Sequence, residues 1–149
     1  MSDVFSTEKR SDVMKKVRPS GNKTTELRLI KYFSSNHITG WRRKYKVKGH
    51  PDFVFLDRKI AIFVDGCFWH AHDGCKWFVP PKTNTDFWNK KFEYNIERDR
   101  NNYQLLRKMG WNVIVIWECQ LKPPNRITTL NWLYLELHYV PIQMQHVSS

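Results

Sequence analysis

No stretch of this sequence approaches the ~18 consecutive apolar residues that a membrane span needs, and the opening MSDVFSTEKR has no apolar core of a secretory leader. Both absences lead us to expect a soluble, uncleaved protein of the cytoplasm. Internal repeats, low-complexity tracts and linker-like segments are also missing, which argues against solenoids and multidomain arrays. One domain spanning 1–149 is expected, long enough to bury a core without disulfides. Cysteine is scarce: three residues, an odd number, with no paired C-x-x-C among them. In a reducing compartment that count disfavours disulfides and leaves metal ligands or buried free thiols. Acidic residues are outnumbered, 14 against 25 Lys and Arg, which gives a net charge of +11 and a pI near 9.7.

That surplus of positive charge attracts polyphosphate backbones over long range. A basic balance alone also suits solubility or an anionic membrane surface. Here it is joined by 15% aromatic content and seven tryptophans, the combination that stacking on bases or wedging between them requires. Nucleic acid is therefore the expected partner, and a membrane is not.

Patterning predicts an α/β fold with a mixed sheet. A short basic helix is expected near residues 7–17, before the break at Pro19-Ser20-Gly21. Over residues 24–33, Leu27, Ile30 and Phe33 recur at helical spacing, with Glu26 in the first turn where a carboxylate suits the helix dipole. Three strand-like pieces follow at 41–47, 52–56 and 60–64, the last two joined through Asp57-Arg58 as a hairpin. Thr85 is expected to cap a long polar helix that Gly110 ends. The apolar run 113–117 reads as a strand covered on both faces, and TLNWLYLELHYV as a last helix against the sheet.

The segment richest in chemistry is CFWHAHDGC, from Cys67 to Cys75, with Cys119 closing the later run VIVIWEC. Cys67, His72, Cys75 and Cys119 make a Cys3His donor set of the kind that closes a tetrahedral structural zinc site. A closed set has no open position for catalysis, so this zinc would hold the fold and leave Phe68, Trp69 and His70 as the loop's working residues. Two alternatives stand beside this reading: three buried free thiols, or His70 in place of His72 as the zinc ligand. Upstream, Pro51-Asp52 enters one strand, and its hairpin partner ends in Phe63-Val64-Asp65-Gly66. An acid at one strand's start, facing the end of its partner, gathers the oxygen ligands that a hard Mg2+ ion needs at a phosphodiester. The plainer reading of Pro-Asp is turn chemistry. His70, not needed by the zinc, is free to act as a base toward water.

These residues, with Met14, TTELRL around Glu26, GHPDFVFLDRKIAIFVDGCFWH, TDFW, NIERDRNN and GWNVIVIWEC, resemble the very short patch repair (Vsr) DNA mismatch endonucleases. The likeness runs from about Arg10 to Leu121. It implies a restriction-endonuclease-like core of helix, three strands, helix and strand over 22–121. A basic DNA-contacting segment over 1–20 would precede that core, and a C-terminal helix and tail over 122–149 would follow. The implied activity is Mg2+-dependent nicking of duplex DNA on the 5′ side of the thymine in a T:G mismatch, the product of 5-methylcytosine deamination. By the matching motifs, Asp52 would bind Mg2+ with the Val64 main-chain carbonyl, His70 would activate the attacking water, and Glu26 would join the water network of the metals. Cys67, His72, Cys75 and Cys119 match the family's structural zinc ligands.

Phe68, Trp69 and Trp88 match aromatics that family members push into the duplex from the major groove, and Met14 would reach the minor-groove side. A wobble pair is less stable than a matched one, so its stack costs less to open and the difference becomes specificity. Three plainer readings remain: Trp88 packing on the core, Glu26 as an exposed charge, and NIERDRNN as a solvated helix face whose Arg98 and Arg100 meet phosphates or water. Two departures from the family pattern stand out. Asp65 occupies a position where some members carry a histidine; ionised, it cannot donate a proton to a leaving group, but it can orient a second Mg2+. The stretch His72-Asp73-Gly74-Cys75 is one residue longer than the pattern, an insertion Gly74 can absorb through an unusual backbone angle.

The resemblance further implies a bacterial, nucleoid-associated monomer, with downstream mismatch-repair and polymerase factors as further partners. Two competing readings keep part of this picture. One is a homing or restriction-type nuclease with another DNA target, and the other is a non-catalytic zinc-containing DNA-binding module.

Overall fold

The computed structural model describes residues 23–138. Met14, the expected helix near 7–17 and the segments 1–20 and 139–149 lie outside the described residues. Helix α1 (Lys23–Ser35) is followed by strands β1 (Trp41–Arg43), β2 (Phe53–Phe55) and β3 (Ile60–Asp65). Helix α2 (Thr85–Lys108), strand β4 (Asn112–Trp117), a 3-10 turn (Glu118–Leu121) and helix α3 (Arg126–His138) complete the order. This is the expected helix, three strands, helix, strand and helix.

The strands form one four-stranded mixed sheet in the order β1-β2-β3-β4. The β1–β2 and β2–β3 pairs are antiparallel, whereas β3 and β4 run parallel because α2 carries the chain back across the sheet. Alternation along the strands divides the core in two. Ile60, Ile62 and Val64 join Phe53 and Phe55 on one face, under Leu29 and Phe33 of α1 and Leu133 and Leu137 of α3. Ala61 and Phe63 join Val54 on the other face, against Leu106 of α2 and Trp111. Asp65 shares the second face by the same alternation, so the period of β3 delivers a carboxylate to the α2 side.

Several local expectations change. The first strand stops at Arg43 rather than continuing to 47, because Lys44 takes a positive φ of 53° and turns the chain out of the sheet. The β2–β3 connection uses four residues, with Phe55 paired to Ile60 and Lys59 at φ 52°. Thr85 does not cap α2: Asn84 stands there in a left-handed conformation with no side-chain cap bond, and its carbonyl accepts from the Trp88 N–H at 3.0 Å. Gly110 does follow the end of α2, at φ 93°, a conformation that glycine adopts without penalty. The strand buried along its whole length is β3, in the sheet interior; β4 lies at an edge and buries only Ile114 and Ile116 fully.

Candidate active site and metal centre

Asp52 immediately precedes β2, where its N–H donates to the Ile62 carbonyl at 2.9 Å and extends the antiparallel ladder. Its side chain crosses to the end of β3, and Oδ2 accepts from the Val64 N–H at 2.7 Å. Asp52 and Val64 are thus side by side, as the strand register demands. Asp52 lines a cavity of about 210 Å³ with Val64, Asp65, His70, Arg98 and Asp99. Burial pushes its carboxyl up to about 7; the Val64 N–H and His70 oppose that rise, and Glu26 and Asp65 add to it. Glu26 is buried and paired with Arg43 at 3.1 Å, not a solvated charge, and it does not line this cavity.

After Asp65 the chain coils tightly: His70 donates its N–H to the Gly66 carbonyl at 3.1 Å, and His72 donates to Cys67 at 2.9 Å. The coil drops the His70 ring against α2, where Nδ1 lies 2.5 Å from Asp99 Oδ2 and 3.7 Å from Asp65 Oδ2. Burial alone lowers an imidazole, but the hydrogen bond to Asp99 and the charge of Asp65 outweigh it and raise His70 above its ordinary value. A carboxylate on Nδ1 holds the proton there and leaves Nε2 as the basic nitrogen of the neutral ring. Nε2 is buried with no partner among the described residues, a costly state unless a water or ligand completes it. The other oxygen of Asp99 accepts from Arg98 at 3.1 Å, and Tyr103 donates to Asp65 at 2.5 Å.

On the far side of the coil, the donor atoms of Cys67, His72, Cys75 and Cys119 all lie within 4.8 Å of one another. Cys119 arrives from the 3-10 turn after β4, with Sγ 3.5 Å from His72 Nδ1. The His72 ring stacks on Trp117 at 3.9 Å and 4°, which fixes its plane. Burial lowers His72 and raises the Cys67 thiol, so both favour the neutral form until a cation takes them. Three thiols and a neutral imidazole gathered so closely fit a tetrahedral soft-metal site. Gly74 adopts φ 70° with open space around it, consistent with the longer His-to-Cys spacing. His70 stands apart with the carboxylates: the four-donor group contains His72, and the second cluster is Asp65, His70 and Asp99. Their oxygens, with Asp52 in the same cavity, suit a hard divalent cation.

The same coil presents Phe68 and Trp69 beside Trp88 of α2. Phe68 lies 5.3 Å from Trp69 and 5.4 Å from Trp88, and the two tryptophans are 6.0 Å apart. All three are half-buried; Phe68 and Trp88 rest on Phe92, at 5.4 Å and 5.8 Å, and Trp69 packs on those two rings. Asn95, fully buried, donates to the Trp69 carbonyl at 2.7 Å and pins the turn that carries the rings.

A model of the family "DNA mismatch endonuclease Vsr" matches residues 2–76. Among curated relatives, the type II nicking enzyme V.NmeAIP of Neisseria meningitidis is 40% identical over 122 residues, covering 82% of this chain and 86% of that protein. The DNA mismatch endonuclease Vsr of Escherichia coli K12 is 34% identical over 128 residues, covering 86% and 81%. The type II nicking enzyme V.XorIIP of Xanthomonas oryzae is 38% identical over 124 residues, covering 81% and 88%. The chain belongs to the Vsr family. It is a DNA endonuclease, and DNA is its partner. No helix among the described residues is long and apolar enough to cross a membrane.

In this Vsr chain, sequence reasoning missed three residues that the geometry brings to the site: Asp99, Tyr103 and Asn95. All come from NIERDRNN and its flanks, read above as a solvated face. Asn95, Asp99 and Tyr103 lie four residues apart on one stripe of α2, between the buried Phe92 and Leu106. Polar residues on a core-facing stripe were the available signal, since such groups are retained only with partners.

Proposed function

We propose that this Vsr-family endonuclease nicks duplex DNA 5′ to the thymine of a T:G mismatch, using Mg2+ at the cavity beside Asp52 and zinc as a structural ion. The observation that carries the reading is the His70–Asp99 pair in the same cavity as Asp52, with His70 on the coil that also carries Phe68 and Trp69. Asp52 and the Val64 main chain would hold Mg2+, which when bound supplies Lewis-acid stabilisation of charge on the scissile phosphate. Asp99 keeps the Nδ1 proton in place, and His70 Nε2 takes the proton of the attacking water. Asp65, fixed by Tyr103, sits on the Nδ1 side of His70 and favours the imidazolium that forms. Glu26, held by Arg43 and near enough to raise the Asp52 carboxyl, would join the water network of the metals. Phe68, Trp69 and Trp88 enter the duplex beside the mismatch, where opening the stack costs least, and Met14 approaches from the minor groove.

Cys67, His72, Cys75 and Cys119 would hold zinc, tying the catalytic coil to the end of β4. On this reading the mixed sheet and its helices would be a restriction-endonuclease-like core, in a single-domain, cytoplasmic, nucleoid-associated monomer that hands its nick to repair and polymerase factors. A second reading has support of its own, since two relatives above are described as type II nicking enzymes: the same site acting on a different DNA target. End-labelled duplexes with T:G, A:T or C:G at one position, incubated with Mg2+ or EDTA, separate the two. Nicking of T:G alone, lost in EDTA, is expected. Equal cleavage of matched duplexes favours the second reading, and binding without cleavage would overturn both.

A further inference from the structure

Beside the catalytic cavity lies a second basin of about 370 Å³, lined by Lys48, Tyr94, Glu97, Arg98, Asn101 and Asn102. The two are contiguous, since Arg98 and Asn102 line both. We propose that this basin is a second phosphate subsite, which seats one of the two phosphodiesters flanking the scissile one and so sets the register of the cleaved strand. The inference rests on reading the Asp52–His70 cavity as the seat of the scissile phosphate.

One wall of the basin is a strap from Lys44 to His50 whose residues alternate. Tyr45 and Val47 pack against the α2-side core, while Lys44, Lys46 and Lys48 are exposed. The inward anchors fix the backbone that carries Lys48, and Lys48 has no ion pair among the described residues. Gly49 closes the strap onto α2: it sits at φ 89°, and a Cβ there would lie 3.1 Å from Asn102 Cβ. The opposite wall holds Arg98, placed by Asp99 at 3.1 Å and by the Tyr94 ring at 5.9 Å. Two cations and two carboxamides facing one trough match a phosphodiester, with the guanidinium directed and the ammonium acting as a point charge. The lining offers no apolar pocket for a base beyond the Tyr94 ring, so the contact reads backbone and not sequence. Glu97 is the one opposing charge on the rim, and it weakens the subsite.

The test uses the full-length protein and never requires a correct guess about the mismatch. The nick is first mapped on whichever duplex is cut, and binding is then measured with Ca2+ in place of Mg2+. Lys48→Ala should weaken binding about tenfold at 0.1 M salt and lower the slope of log affinity against log salt by about 1, equally for T:G and A:T duplexes. Glu97→Gln should tighten binding. An uncharged methylphosphonate at the correct flanking phosphate should penalise wild type but add little to Lys48→Ala. Additive losses at both flanking positions, or an unchanged salt slope in Lys48→Ala, would overturn the subsite. Failure of T:G selectivity leaves these readouts intact and counts only against the mismatch reading. Both substitutions fall on exposed side chains, and thermal melts matching wild type confirm that folding is not at issue.

Discussion

His70 and His72 are two residues apart, yet they occupy opposite chemical worlds. Burial lowers His72, which stacks on Trp117 among thiols, whereas Asp99 and Asp65 reverse the same burial effect at His70 and raise it. Desolvation disfavours charge on either ring, so the neighbours decide the role. An imidazole kept neutral beside sulfur is a ligand, and one backed by carboxylates is a proton acceptor. The coil after β3 puts the two rings in separate donor clusters, although both flank Trp117 and line one cavity. On the proposed reading one short loop would thus serve a metal centre and a hydrolytic site at once. Substitutions on the carboxylate side should leave the zinc side intact, whereas loss of a zinc ligand should take the folded coil, and nicking with it.

The largest effect should come from Cys119→Ser, because Cys119 joins the loop to the end of β4 and metal binding at such a site contributes to folding. Zinc, stability and nicking should fall together, with Tm lower by more than about 10 °C. His70→Ala should keep stoichiometric zinc and lose turnover, and His72→Ala should lose zinc. Metal analysis alongside melts checks all three variants, and zinc loss in His70→Ala with retention in His72→Ala would merge the two sides. Next in size, Asp52→Asn should cut nicking at least about a hundredfold, since a metal's Lewis-acid contribution is several kcal/mol. Mismatch binding should persist because the shape is kept. Single-turnover cleavage within a few-fold of wild type would remove Asp52 from the metal.

Asp99→Asn is the third test and stays on the carboxylate side. An amide in place of the carboxylate no longer enforces the Nδ1–H tautomer of His70, so the single-turnover rate should drop roughly a hundredfold with zinc and Tm near wild type. A drop in zinc content would mean that the two sides are coupled through the coil.

Asp99 also marks where the sequence stopped being informative. Order and type of the elements were legible because apolar residues recur at helical spacing over 24–33 and 60–64 and 113–117 are apolar runs, although the helix buries Leu29 with Phe33 and leaves the expected Leu27 exposed. The Cys3His set and Asp52 beside Val64 followed from spacing and hairpin register. Asp99 pairs with His70 across 29 residues, and the sequence hinted at it only through its place with Asn95 and Tyr103 on the stripe between Phe92 and Leu106, which names no partner. The early end of β1 turned on a single positive φ at Lys44, a residue type that seldom adopts it. Thr85 looked like a cap by composition, but the backbone at Asn84 took the turn first.

A smaller effect, on selectivity and not rate, should follow from replacing Phe68 and Trp69 with Ala. Trp88 stacks on Phe92 and Asn95 holds the turn through the Trp69 main chain, so the scaffold should survive the loss of the two rings. Unstacking is worth roughly a few kcal/mol per step, and without the wedge the preference for T:G over A:T should vanish while salt-sensitive binding remains. Competition binding at two salt concentrations reads both terms, and unchanged discrimination would move the mismatch reading elsewhere on the protein.

The smallest effect is a pH dependence confined to the carboxylate side. Burial pushes Asp52 to about 7 in the absence of a cation, the Val64 N–H notwithstanding, and Glu26 and Asp65 push the same way. Mg2+ needs the ionised form, so its binding must displace a proton below that value. Apparent Mg2+ affinity should therefore rise about tenfold between pH 6 and pH 8 and level off above, following the ionised fraction. For the metal-free protein the sign is the reverse of a salt-bridged aspartate. A folded-state value above the unfolded 3.8 means the native state binds the proton more tightly, so this group's contribution to stability declines as pH rises from about 4 to about 7. Mg2+ should restore that loss at pH 8 and do little at pH 5, and Asp52→Asn should abolish the difference. Calorimetric Mg2+ titrations with melts at the two pH values decide it; a flat affinity across the range would place the cation on other ligands.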